Sequence, residues 1–135
     1  MLRFPLMLLP LAAYNVLALV FGADWSSPVM ALPMMSRAVW TMTSGDVFLL
    51  GTLVVLFFEI IKATRIHSGA IVDHILSTLV LIGCIVEFLL VDRAATSVFF
   101  LMTVISFVDV AAGFTISIRA ARRDFAVGPD TGTGY

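Results

Sequence analysis

The chain has 135 residues, of which 61% are hydrophobic and 13% charged, and its formal net charge is −1. Soluble domains average about 25% charged and about 45–50% apolar residues, so this composition indicates an integral membrane protein of one domain. The few basic residues form no groove-like patch, and we expect no nucleic acid as a partner. The single cysteine, Cys84, excludes an internal disulfide and a paired-cysteine redox motif.

The first apolar segment, residues 4–22, follows Arg3 and is predicted to span the membrane. A cleaved secretory signal is the competing interpretation, because it also has a basic start and an apolar middle. The best cleavage position, after Ala23, has Phe21 where a small residue is wanted, and this favours a retained span. Asn15 shares a helix face with small residues, which favours close contact with another helix.

The connection over residues 23–45 carries both tryptophans and two prolines. Tryptophan favours the membrane–water boundary, and the prolines break the segment too often for it to cross the bilayer. We therefore predict an interfacial loop with a short helix over residues 34–41. Four methionines are concentrated here: Met30, Met34, Met35 and Met42. Without a neighbouring His or Cys, apolar filling is favoured over a Cu(I) site, and we expect no metal and no cofactor.

Three further spans are predicted, over residues 46–63, 70–91 and 94–118. The pattern Ser44-Gly-Asp46 indicates the start of the second span, because an acid there complements the helix dipole. The third span has one polar face, since at about 100° per residue its four polar positions fall within an arc of about 80°. These positions are Asp73, Ser77, Cys84 and Glu87. In lipid, such a face must point at other helices or at water.

The predicted fold class is all-α, an integral membrane bundle of four transmembrane helices with an interfacial loop between the first and the second. This bundle occupies residues 1–127. Residues 128–135 are polar and glycine-rich, and we expect them to be disordered.

Basic residues predict the orientation. If all four segments cross, six of the eight Lys and Arg residues lie on one side: Arg3, Lys62, Arg65, Arg119, Arg122 and Arg123. Only Arg37 and Arg93 lie on the other side. This bias places the N- and C-termini in the cytoplasm. The last three arginines are candidates for contact with anionic lipid.

Seven polar side chains within the predicted spans form a candidate intramembrane cluster: Asn15, Glu59, Asp73, His74, Ser77, Glu87 and Asp109. Glu59 can pair with Lys62, three residues further along the same helix. Asp109 lies about 15 Å in from Arg119, with no cation at that depth, and Asn15 lies about 18 Å in from Arg3. These matched depths predict that the first and fourth spans are neighbours and that a protonated Asp109 hydrogen-bonds Asn15.

The acids permit two interpretations. A proton or cation path from the cytoplasm would use three of them and one histidine: Glu59, Asp73, His74 and Asp109. Alternatively, the polar groups hydrogen-bond one another and hold the helices in register. The second is favoured, because nothing on the outer side continues the path beyond Glu87. No nucleophile–base pair is visible, so we expect no enzyme, and the placement of His67 in a turn argues against haem.

The stretches Ile71–Ser77 and Glu87–Leu90 resemble uncharacterised small four-span inner-membrane proteins of bacteria. The resemblance implies a bacterial plasma membrane and no particular activity. The chain is also similar in size to small multidrug-resistance transporters, but its first span offers Asn15 where they have an essential glutamate.

The function we expect is that of a non-enzymatic accessory or assembly subunit of a larger membrane complex. Its partners would be membrane lipids and other membrane subunits or further copies of itself. The alternative is a small proton-coupled transporter or channel acting as an oligomer.

Overall fold

The computed structural model describes residues 4–65 and 70–126, without the side chains of residues 70, 120 and 123–126. Helix α1 (Leu8–Asn15) continues into a π-helical turn (Val16–Val20), and the longer helices are α2 (Ser44–Thr64), α3 (Ala70–Leu90) and α4 (Ser97–Ala126). Strands β1 (Pro28–Pro33) and β2 (Val39–Thr43) join α1 to α2. Of the described residues, 73% are helical, but the hairpin means that a purely all-α class is not confirmed. Arg3, His67 and the expected disordered tail lie outside the described residues.

Within the described part of the chain, three helices are long and apolar enough to cross a membrane: Ser44–Thr64, Ile71–Leu90 and Ser97–Arg119. They match the second, third and fourth predicted spans. The last begins later than predicted, because Asp92–Ala94 form a short 3-10 turn. The first predicted span, residues 4–22, is not confirmed. Its helix has eight α-helical and five π-helical residues, whereas a full crossing needs about 20.

The first segment nevertheless reaches both ends of the bundle. We call the end where α2 finishes the Lys62 end, and the end where α3 finishes the Arg93 end. At the Lys62 end, the Leu6 N–H donates to Glu59 Oε1. At the Arg93 end, the Ala18 carbonyl accepts a 2.9 Å hydrogen bond from Arg93 Nη1. The segment therefore runs alongside the longer helices for most of their length.

The connection between α1 and α2 is a β-hairpin, and the short helix predicted over residues 34–41 is wrong. β1 and β2 pair antiparallel, with Leu32 opposite Trp40. The β-branched and aromatic residues of β2 favour a strand, and the prolines of β1 are tolerated at the ends of an edge strand. Arg37, with φ of 70°, turns the chain between the strands. All of β1 and most of β2 are exposed, so the hairpin lies outside the core.

The start of α2 lies where the sequence predicts it. Thr43 Oγ1 accepts from the Asp46 N–H at 3.2 Å, and Asp46 Oδ2 accepts from the Thr43 N–H at 3.0 Å, which forms a capping box. Gly45 is buried, and its N–H donates to the Trp25 carbonyl at 2.9 Å. A Cβ on Gly45 would lie 2.6 Å from Val98 Cγ2. This close approach holds the connection after α1 against both α2 and α4.

The core is centred on α4, which packs against both α2 and α3. Phe99 and Met102 of α4 are buried, and Tyr14 of α1 packs onto this part of α4. The Tyr14 ring stacks on Trp25, with 4.8 Å between centroids and 12° between planes. Its hydroxyl donates to the Arg93 carbonyl at 2.9 Å. Because a buried tyrosine hydroxyl requires a polar partner, this contact fixes α1 to the turn between α3 and α4.

Candidate functional site

A small polar cavity lies between α2, α3 and α4, toward the Lys62 end. Its volume is about 30 Å³, which is enough for about one or two water molecules. Its walls bring together five of the seven polar residues identified in the sequence, with four further residues. The lining residues are Glu59, Lys62, Ala63, Asp73, His74, Ser77, Asp109, Gly113 and Ser117. We call it the Asp109 cavity.

Asp109 is deeply placed in the wall of this cavity, with 6% of its surface exposed. Its Oδ2 atom is buried and has no hydrogen-bond partner among residues 4–65 and 70–126. Glu59 and Lys62 line the same cavity as Asp109. The prediction that no cation lies at this depth is therefore wrong, because the Lys62 side chain lines the same cavity.

α2 contributes an ion pair to the cavity wall. Glu59 Oε1 accepts from Lys62 Nζ at 3.3 Å, as the three-residue spacing predicts. The same Glu59 oxygen accepts from the Leu6 N–H, and Lys62 Nζ also donates to the Phe4 carbonyl at 2.6 Å. The candidate cluster derived from the sequence does not include Lys62, although its side chain lines the cavity. The ion pair thus holds the start of the first segment against the cavity.

α3 contributes His74, whose position depends on small residues of α4. His74 Nε2 hydrogen-bonds Ser117 Oγ, and the imidazole stacks on Phe114 with 5.2 Å between centroids and 20° between planes. A Cβ on Gly113 would lie 2.9 Å from His74 Cε1, so only glycine leaves room for the ring. Asp109, Gly113 and Ser117 recur every four residues and therefore share one face of α4. The sequence shows this face, but its function in seating a histidine requires the opposing helix.

Asn15 and Glu87 lie away from the Asp109 cavity. Asn15 Nδ2 donates to Glu87 Oε2 at 3.2 Å and to a carbonyl of its own helix at 2.9 Å. The predicted hydrogen bond between Asn15 and Asp109 is therefore wrong, although the first segment and α4 are in contact as predicted. Tyr14 hydrogen-bonds Thr96 Oγ1 at 2.7 Å. Asp109 is 13 residues beyond Thr96, or about 20 Å along the helix at 1.5 Å per residue, so Asn15 is at a different height.

Apolar packing separates the Asp109 cavity from the Arg93 end. Val80 and Cys84 of α3 and Met102 and Phe99 of α4 are buried in this region. Ser106 lies within it, and its Oγ is buried. The polar lining therefore faces the Lys62 end and does not continue through this packing.

An apolar groove of about 610 Å³ separates the first segment from α3. Its walls carry eight residues, none of them charged: Phe4, Pro5, Leu8, Leu11, Leu76, Leu79, Val80 and Gly83. We call it the α1–α3 groove. Nothing lies within 4 Å of the position that a Cβ on Gly83 would take, so another apolar group can approach the backbone there.

The basic residues of α4 follow its membrane-length part. Arg119 and Arg122 are exposed, as contact with lipid headgroups requires. The side chain of Arg123 lies outside the described part of the chain.

No protein-family model, no curated protein and no solved structure matches this chain. The resemblance to small bacterial inner-membrane proteins thus stays a prediction from the sequence, and function has to be argued from the Asp109 cavity and the α1–α3 groove.

Proposed function

We propose that the protein binds a proton at Asp109 and acts as a small proton-coupled transporter or channel. The observation that carries this proposal is the unpartnered Oδ2 of Asp109, buried at the wall of a water-sized cavity. A carboxyl in this position can take up or release a proton through water in the cavity. The cavity admits no organic molecule, because its volume of about 30 Å³ matches water.

A purely structural cluster explains Asp109 less well. A structural role predicts that the polar groups satisfy one another, as Asn15 and Glu87 do near the Arg93 end. Asp109 Oδ2 instead remains unpaired within the described residues. An unpaired buried polar group costs about 1–3 kcal/mol of stability. A water molecule in the cavity would remove this cost and would exchange a proton with the carboxyl.

The proposal includes a four-span topology in a bacterial inner membrane, with the Lys62 end in the cytoplasm. The first segment would cross because it contacts Glu59 at one end of the bundle and Arg93 at the other. Six of the eight Lys and Arg residues would then face the cytoplasm. Arg119, Arg122 and Arg123 would contact anionic lipid headgroups on that side.

Movement of a proton across the whole membrane requires a path from the Asp109 cavity to the Arg93 end, which apolar side chains fill in the single chain. Met102 and Phe99 fill the space between Ser106 and the Arg93 end. A transporter would open this region by moving α4, and an oligomer would supply a path between copies. The proposed working unit is an oligomer, since the outward faces of α2 and α3 are apolar and available for helix packing.

Proton flux into proteoliposomes tests this proposal directly. The full chain is reconstituted with a pH-sensitive dye inside the vesicles, and a potassium diffusion potential drives proton entry. We expect wild type to acidify the interior and Asp109→Asn to reduce the rate to that of protein-free vesicles. An amide has nearly the shape of a protonated carboxyl, so this variant should fold normally.

Asp92→Asn is the matched control. Asp92 is an exposed acid in the 3-10 turn outside the long helices, and its Oδ1 accepts from the Arg93 N–H, an interaction that an asparagine oxygen preserves. The control should conduct like wild type. A flux that Asp109→Asn leaves unchanged, or the absence of any flux from wild type, would overturn the proposal.

The α1–α3 groove supports a second candidate function, that of an accessory subunit of a larger membrane complex. Its apolar walls and the open backbone at Gly83 suit the approach of a helix from another subunit. Extraction in mild detergent followed by native mass spectrometry tests this function. Recovery of a defined complex with a second protein, lost on Gly83→Leu, would support it, whereas recovery of this chain alone would count against it.

A further inference from the structure

The start of the first segment is tied to the wall of the Asp109 cavity by two backbone groups. The Leu6 N–H donates to Glu59 Oε1, and the Phe4 carbonyl accepts from Lys62 Nζ at 2.6 Å. Lys62 also binds Glu59 Oε1 at 3.3 Å. Glu59 and Lys62 both line the cavity, together with Asp109. The side chains that hold the first segment are therefore those that face the proposed proton site.

Two acceptors compete for the Lys62 ammonium: the Phe4 carbonyl, which it binds in the structure, and Asp109 Oδ2, which it would have to move to reach. An ammonium group has three donors and sits on a flexible four-carbon stem. In the observed arrangement it binds the Phe4 carbonyl and Glu59, while Asp109 Oδ2 on the same cavity has no partner among the described residues. An ionised carboxylate binds an ammonium more strongly than a neutral carbonyl does, and low surrounding polarity increases the difference. A protonated carboxyl loses this advantage.

We propose that Lys62 couples the protonation of Asp109 to the position of the first segment. This inference rests on the proposed function, because it requires Asp109 to gain and lose a proton. With Asp109 protonated, Lys62 stays on the Phe4 carbonyl and the first segment packs as observed. With Asp109 ionised, the ammonium turns toward the cavity and releases Phe4. The first segment then moves away from α3 and the α1–α3 groove widens, since Phe4 forms part of its wall.

Three other groups facing the cavity carry or can take up charge: Glu59 on α2 and Asp73 and His74 on α3. Glu59 Oε1 accepts the Leu6 N–H directly, and this single hydrogen bond breaks when the first segment moves away. Asp73 and His74 lie on the opposite wall, where His74 contacts Ser117 and Phe114 of α4. Asp73→Asn and His74→Gln should therefore shift the midpoint of the transition in pH without removing it, and Lys62 and Asp109 substitutions should remove it.

A distance between α1 and α3 reports the movement. Spin labels are attached to Leu9→Cys and Ile82→Cys, which replace side chains 52% and 49% exposed in the native chain. The full chain carries Cys84→Ala, so that only these two positions are labelled, and is placed in lipid nanodiscs. Pulsed electron paramagnetic resonance then gives the distance distribution between about pH 5 and about pH 9.

We expect a short distance at low pH and a second, longer one at high pH. For coupling to one proton, the ratio of the two populations changes by at most about tenfold per pH unit. Asp109→Asn should show only the short distance and Lys62→Met only the long distance, each at every pH. A wild-type distribution that does not change with pH would overturn the coupling, as would a Lys62→Met distribution that remains short.

The experiments can refute the transport function and the Lys62 coupling independently. If the distance between the labels on α1 and α3 does not change with pH but proton flux is present, only the Lys62 coupling is refuted. A pH-dependent distance without flux would remove the transport function, and the coupling would then describe a pH-dependent change of shape.

Discussion

Gly113→Ala should destabilise the protein, although alanine is the better helix former. The added Cβ would lie 2.9 Å from His74 Cε1 and 3.0 Å from His74 Nδ1. The imidazole has little freedom to retreat, because it stacks on Phe114 and hydrogen-bonds Ser117. Overpacking of this kind costs about 1–3 kcal/mol. The gain in helix propensity recovers at most about 1 kcal/mol of that cost.

Two other helical glycines provide matched controls. Nothing lies within 4 Å of a Cβ built on Gly51 or on Gly83. Alanine at these positions should raise stability by about 0.5–1 kcal/mol, since it removes only the conformational freedom of glycine. Gly113→Ala should therefore be less stable than either control by about 1–3 kcal/mol.

Thermal unfolding in detergent micelles, followed by circular dichroism, measures this difference. At about 4 °C per kcal/mol, Gly113→Ala should melt roughly 4–12 °C below the controls. In a His74→Ala background, Gly113→Ala should raise the melting temperature as the two controls do, because the clash disappears with the imidazole. If Gly113→Ala raises the melting temperature as much as Gly83→Ala does, His74 is not seated on Gly113 and the described cavity wall is incorrect.

Three further predictions concern other parts of the chain. Tyr14→Phe removes the hydrogen bonds to the Arg93 carbonyl and Thr96 Oγ1, so the midpoint of chemical denaturation should fall by the equivalent of about 1–3 kcal/mol. Cys84, 1% exposed, should resist a membrane-permeant maleimide until the protein is denatured; rapid labelling beforehand would contradict its burial. In a Trp25→Phe variant, brominated lipids should quench the fluorescence of Trp40 if the exposed hairpin lies in the membrane interface, whereas quenching by aqueous iodide alone would place it in water.

The sequence predicted the features that depend on one helix at a time. The three long apolar helices follow from residue type and length, and the pairing of Glu59 with Lys62 follows from spacing on one helix. The hairpin was not predicted, because the prolines of residues 23–45 indicate only that the segment does not cross the bilayer. The β-branched and aromatic residues around Trp40 favour a strand over the predicted short helix.

Heights of side chains on different helices could not be predicted in this way. The estimate for Asn15 assumed a straight helix beginning at Arg3, but α1 begins at Leu8 and its height is set by contacts of Leu6 and Tyr14 with other elements. Nothing local to residues 4–22 encodes those contacts. Asn15 consequently lies beside Glu87 rather than Asp109.

The two ends of the bundle differ in how their buried polar groups are paired, so substitutions at one end should affect stability and at the other proton flux. At the Arg93 end, Tyr14, Asn15 and Arg93 all have hydrogen-bond partners. At the Lys62 end, Asp109 Oδ2 is buried without one among the described residues. Tyr14→Phe should therefore lower stability and leave proton flux per folded molecule unchanged. Asp109→Asn should abolish flux and keep or slightly raise stability, because it replaces a carboxyl that is costly to bury by a neutral amide. If Asp109→Asn instead unfolds the protein, Asp109 is a structural group and the proton-binding argument fails.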